Sequence, residues 1–139
     1  MPTAYRIDTE AEIVWSRAWG VLAQGDTAAH YRRLSADPAF RPTFRHLVDL
    51  RSVVRMDLSP SAIRDVAKAG LFAPGARRAF LAPKDIHYGL SRMLQAFVEI
   101  EGSEIGVFRT AAEAAAWLGI PEEAIDMPGP GEPGSTTSD

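Results

Sequence analysis

Phe44-Arg45-His46-Leu47-Val48-Asp49-Leu50-Arg51, followed by Asp57-Leu58-Ser59-Pro60-Ser61, decides how the chain is read. The run Leu47-Val48-Asp49-Leu50 has the apolar character of a short strand covered on both faces. Ser59 before Pro60 is a helix N-cap followed by a first-turn proline. A strand ending near Asp49 and a helix opening at Ser59 would bring Asp49, Arg51 and unpaired backbone N–H groups to one edge of a sheet. In open α/β sheets, ligands and partners enter at such edges.

Upstream, Tyr5 and Ile7 alternate with Arg6 and Asp8, and Ile13, Trp15, Arg17 and Trp19 alternate with Val14, Ser16 and Ala18. Period two in both runs, with the short link Thr9-Glu10-Ala11-Glu12 between them, predicts an opening hairpin that Gly20 ends. Asp26 then caps a helix carrying Ala28, Tyr31 and Leu34, stopped by Pro38. Downstream, Ile63, Val66, Ala67, Gly70 and Leu71 form one helical face. Pro74-Gly75 precedes a strand at Arg78-Ala79-Phe80-Leu81-Ala82, which Pro83 terminates. Asp85 caps a helix with an expected buried stripe of Ile86, Leu90, Met93, Leu94 and Phe97, leaving His87, Tyr88, Arg92 and Gln95 on the opposite face. Ile105 to Phe108 is the last strand, and Thr110 with Glu113 makes a capping box for a helix running to Gly119. The order is β-β-α-β-α-β-α-β-α. Right-handed crossovers then demand a mostly parallel, five-stranded mixed sheet with four main helices.

The chain has 139 residues, 46% of them hydrophobic, which suits a single domain with its own core. Residues 1–120 are expected to form that domain, and residues 121–139 an extended or disordered tail too polar to fold. There is no cysteine, so thiolate nucleophiles, disulfides and thiolate metal sites are excluded. No signal peptide or membrane span is visible, and a cytoplasmic location is expected. The net charge of −3 is unevenly spread: residues 26–92 hold twelve Lys/Arg against six Asp/Glu, whereas residues 93–139 hold one against nine. The basic middle suits an anionic ligand or acidic partner, but no motif or aromatic-interleaved basic strip points to nucleic acid.

Four phrases, Leu34-Ser-Ala-Asp37-Pro38-Ala-Phe40-Arg41-Pro42, Leu47-Val-Asp49-Leu50-Arg51, Gly89-Leu-Ser-Arg92-Met93 and Val107-Phe108-Arg109-Thr110, resemble the STAS-like proteins related to bacterial SpoIIAA, the anti-sigma-factor antagonist. The resemblance runs from Tyr5 to Leu118 and implies the STAS/SpoIIAA-like fold. It also implies a phosphorylatable serine at the start of the second helix, in an Asp-Ser-Ser-Gly-like turn. Here that segment reads Met56-Asp57-Leu58-Ser59-Pro60-Ser61, without the glycine or the serine pair, though Ser59 and Ser61 lie near the helix start. This branch is also compared with lipid-transfer domains that hold an apolar ligand between helices and sheet.

The residues themselves contain no Gly-x-Ser-x-Gly elbow, and Gly70 to Gly75 lacks the Lys-Ser/Thr of a phosphate loop. His30, His46 and His87 have no paired ligand spacing, so no metal or other cofactor is expected. A non-enzymatic regulatory domain is therefore expected, binding a protein partner through the surface from Asp49 to Ile63. The alternative is a carrier or sensor of a small amphipathic, lipid-like anion, its head group held by a helix terminus and Arg51 or Arg92. Candidate binding residues are Asp49, Arg51, Ser59, Ser61, His87, Tyr88 and Arg92. Sheet edges and aromatics such as Trp15 and Trp19 leave a homodimer open.

Overall fold

The computed structural model describes residues 2–68, 70–100 and 104–126. Five strands, β1 (Thr3–Asp8), β2 (Ile13–Ala23), β3 (Arg45–Asp57), β4 (Arg77–Leu81) and β5 (Glu104–Phe108), pair in sequence order. β1 and β2 are the expected antiparallel hairpin, and every later pairing is parallel. The helices are α1 (Gln24–Ala36), α2 (Pro60–Lys68), α3 (Asp85–Ile100) and α4 (Ala111–Leu118). This is the mixed five-stranded sheet with four main helices that the alternation predicts. A 3-10 turn, Glu122–Asp126, follows α4. That corrects the expected tail in part: Ile125 is fully buried against α4 and the sheet because its apolar side chain caps that end of the core. Residues 127–139 lie outside the described set.

Side chains alternate across the sheet, so each strand feeds two cores. On one face Val14, Ala18, Leu50, Val53 and Phe80 meet Leu34 of α1, Ile63 and Ala67 of α2 and Leu94 of α3. On the other, Ile13, Leu47, Ala79 and Leu81 meet Ala114, Ala115 and Leu118 of α4. Three helices thus cover one face and one helix covers the other.

Three local expectations change. β2 does not stop at Gly20; that glycine takes φ 66°, a left-handed conformation costing glycine little, and the strand runs on to Ala23 through an irregular register. Asp26 is consequently inside α1, where its carboxylate accepts the Ala23 N–H at 2.8 Å instead of capping from outside. In α3 the buried face is turned: Ile86 is 70% exposed, while His87 and Ser91 are buried with Leu94. The i, i+4, i+7 row through His87 faces the sheet, and Ile86 falls just off it.

The ends of α4 follow the sequence closely. Thr110 Oγ1 accepts the Glu113 N–H at 3.2 Å, and Gly119 closes the helix at φ 74°. Behind this helix, Gly106 in β5 has no room for a side chain. A Cβ built there meets the Phe108 ring at 2.6 Å and Trp117 at 3.3 Å. Gly106→Ala is therefore expected to push Phe108 off Trp117 and destabilise the fold by about 1–3 kcal/mol. A urea midpoint equal to wild type would show that the ring swings clear without penalty.

Candidate functional site

β3 is thirteen residues long, not four, and Asp49 lies in its middle rather than at its end. Two register irregularities against β2, after Arg17 and after Gly20, let β3 carry extra residues. The bulged stretch breaks the inward-outward alternation that marks a strand in sequence, which is why the strand looks finished at Leu50. Asp49 is 3% exposed and shares the α4 face with Leu47. Its Oδ1 accepts the Arg51 N–H and the Arg51 Nε–H, each at 3.0 Å. Its Oδ2 takes Arg51 Nη2 at 2.8 Å and lies 3.2 Å from Arg17 Nε. Arg17 Nη2 then donates to the Ile125 carbonyl at 2.8 Å. Asp49, Arg17 and Arg51 thus form a closed ionic staple that holds the 3-10 turn to the sheet.

The other candidates are dispersed. Ser59 caps α2, accepting the Ala62 N–H at 3.1 Å, and donates to Gln24 Oε1 at 2.6 Å, tying the starts of α1 and α2 together. Ser61 is exposed in the first turn of α2. His87 is buried, and burial, with Lys84 nearby, lowers its pKa below the usual imidazole value. Tyr88 lies under the Arg109 guanidinium, 4.2 Å from its ring centre, and Arg109 also binds Asp85 at 2.7 Å. Arg92 is exposed. The expected edge shared by Asp49, Arg51 and the Ser59 helix start is therefore not formed: Asp49 and Arg51 are on the α4 face, while α2 and α3 cover the opposite one.

A hollow does exist on the three-helix face. A cavity of about 70 Å³ open to a water-sized sphere lies between the sheet, at Ala18, Val48, Leu50 and Phe80, and the helices, at Ile63 and Leu94. It is ample for water, but its walls are almost wholly apolar. α2 packs closely on α3 and only lightly on α1. Along that loose seam runs a groove of about 570 Å³ with mixed lining, including Arg32, Ser59, Ser61 and Asp65. Tyr31 and Val66 belong to both cavity and groove, so the two adjoin.

Ser16 and His30 line the hollow, and both belong to a buried polar cluster. Ser16 Oγ bonds to His46 Nε2 at 2.7 Å and to His30 Nε2 at 2.8 Å. Its one proton lets the hydroxyl donate to only one ring, so the rings must take different roles. Burial lowers the His30 pKa to about 4, with the charge of Arg33 adding to the effect. Burial likewise holds His46 well below the usual range, with Arg78 and His30 contributing. Both rings are neutral at pH 7. His46 stacks on Phe72 at 4.6 Å, and the Arg78 guanidinium lies 4.5 Å from the same ring.

Ser16, Tyr31, His30, His46 and Arg78 were not expected as a group. A readable signal exists: Ser16 lies between Val14 and Ala18, and Arg78 two before Phe80, so both occupy core-facing positions of their strands. Which strands bring them together is a tertiary matter. Among the described residues, no group of three or more His, Asp or Glu is placed to hold a metal. No described helix is long and apolar enough to cross a membrane.

Neither a family model nor a curated protein sequence matches the chain. Among solved structures it is similar to an uncharacterised DUF3478 family protein with a SpoIIAA-like fold from Shewanella loihica PV-4. The TM-score is 0.56 at 20% identity, over 84% of this chain and 93% of that one. At that identity the likeness speaks for architecture, and it agrees with the strand order and the helix placement found above. The chain has a SpoIIAA-like α/β fold.

Proposed function

We propose that this SpoIIAA-like domain binds a small amphipathic molecule, its apolar part lodged between the sheet and the α1, α2 and α3 helices. The observation that carries this reading is the apolar cavity adjoining an open groove of mixed lining at the α1–α2 seam. Burying apolar ligand surface there is favourable by about 25 cal/mol per Å², and the groove falls within the usual size of small-molecule sites. The cavity alone fits only a short alkyl segment, so entry involves the seam, where α1 and α2 are joined chiefly through Ser59 and Gln24. Capture of a protein partner across Asp49 to Ile63 has less support, because that segment contributes to both faces of the sheet and its acid is already paired.

Decan-1-ol serves as a neutral probe. It is expected to bind saturably by calorimetry and to raise Tm, and Val66→Trp, which fills the hollow from α2, to weaken it at least tenfold. Native mass spectra free of any retained molecule, together with no heat or thermal shift across C8 to C14 alcohols, would reject the reading.

A further inference from the structure

Arg78 is 6% exposed, yet no carboxylate faces it among the described residues. Among the described residues its one side-chain hydrogen bond runs from Nη2 to the Tyr31 hydroxyl at 2.9 Å, and its buried Nε–H has no acceptor. The rest of its surroundings are rings: Phe72 at 4.5 Å, Phe80 at 5.8 Å and Tyr31 at 5.9 Å. His46, its register partner on β3, is held neutral by burial. A guanidinium is always charged, and a desolvated charge without a counter-ion is costly. Stacking on aromatic faces offsets only part of that cost. Buried arginines ordinarily meet an acid, and the other core arginine of this sheet, Arg17, does so at Asp49.

The position of Arg78 matters as much as its charge. It pairs with His46 across β3 and β4, one inward-facing row below Val48 and Phe80, which form the cavity floor. That is about 7 Å along the strand. Tyr31, which accepts its hydrogen bond, lines the cavity and the groove alike. The Tyr31 hydroxyl keeps its own proton to donate.

The geometry points to Arg78 and Tyr31 as an anion subsite beside the hollow, with Tyr31 in its lining and Arg78 behind Tyr31, receiving the carboxylate of an alkyl monocarboxylate whose chain lies between sheet and helices. The guanidinium edge that includes the unpartnered Nε matches a carboxylate bidentately, and the Tyr31 O–H adds a third bond. One fixed positive charge balances one carboxylate. This assignment rests on the cavity reading above, and it replaces Arg51 and Arg92 as holders of the head group: Arg51 is engaged by Asp49, and Arg92 is exposed.

Calorimetry at pH 8 with sodium decanoate, decan-1-ol and decyl phosphate tests it on the full chain. Wild type is expected to bind decanoate at least about tenfold tighter than decan-1-ol, the scale of a charge-assisted hydrogen bond. Arg78→Met should remove that preference and leave decan-1-ol affinity within about twofold; Tyr31→Phe should narrow the preference severalfold. If Arg78→Met does not fold, Arg78→Lys keeps the charge, loses the fork and should still cut decanoate affinity. An undiminished decanoate preference in the Arg78 variant, or none in wild type, overturns the subsite. So does an Arg78-dependent preference for decyl phosphate over decanoate. Binding of decan-1-ol with no decanoate preference leaves the cavity reading standing and sinks this one, whereas no binding of either ends both.

Discussion

Asp49→Ala is expected to lower the unfolding free energy by about 3–5 kcal/mol, the range found when one member of a buried ion pair is removed. The carboxylate is 3% exposed and meets two guanidinium groups as well as a backbone N–H. Removing it leaves Arg17, whose side chain is 14% exposed, without its acid, and opens the bulge N–H of Arg51. Because the same arginine holds the Ile125 carbonyl, loss should spread to the 3-10 turn. Thermal melts should show a Tm about 10 °C lower or more, with faster amide exchange at residues 122–126. Asp49→Asn keeps an acceptor for the Arg51 N–H but not the charge, and should fall between. An alanine variant within about 1 kcal/mol of wild type would mean that water, rather than this acid, satisfies the arginines. A binding role for Asp49 cannot be tested by alanine alone, since the substitution weakens the fold first.

The second large effect is acid lability. His30 and His46 are buried around Ser16, and both have folded pKa values depressed below 6.5. His30 is bordered by the rings of Tyr5 and Tyr31 and by the charge of Arg33; His46 by Tyr31, Phe72 and Arg78. No carboxylate is among these neighbours to favour a protonated ring. Between pH 6.5 and about 4 the unfolded chain binds protons that the folded one refuses, so stability is complete above 6.5 and declines as pH falls toward 4. The His30 shift from 6.5 to about 4 corresponds to about 3 kcal/mol at about 1.4 kcal/mol per pH unit, and His46 adds in the same direction. Urea midpoints measured from pH 7.5 to 4.5 should hold level down to about pH 7 and then fall toward 4.5, and His30→Gln should flatten the lower limb. Constant midpoints over that interval would place both imidazoles in contact with water.

The hairpin, the capped starts of α2 and α4, the glycine stop at 119 and the alternation of strands with helices were all legible in the chain. Each depends on local chemistry: period two between Tyr5 and Trp19, the Ser59 hydroxyl beside Pro60, the Thr110–Glu113 pair and a glycine tolerating φ 74°. The extent of β3 was not legible, because its bulges against β2 disrupt the alternation and its last residues leave the shelter of β4. The turn of α3 was missed for a related reason. Ile86 is as apolar as Leu90, and only the sheet beneath selects the row through His87 and Ser91.

Sequence alone determined which segments are strands, which are helices, and that crossovers stack them into a mixed sheet, since those choices follow from periodicity and capping within a few residues. Tertiary structure decided the partners of each polar side chain. Asp49 faces α4 and finds Arg17 thirty-two positions away, while Arg78 faces α1 and finds only a phenol and aromatic rings. Both arginines lie in strands of one sheet, and the register of parallel neighbours, set by contacts distant along the chain, gives one an acid and leaves the other among aromatic rings without one.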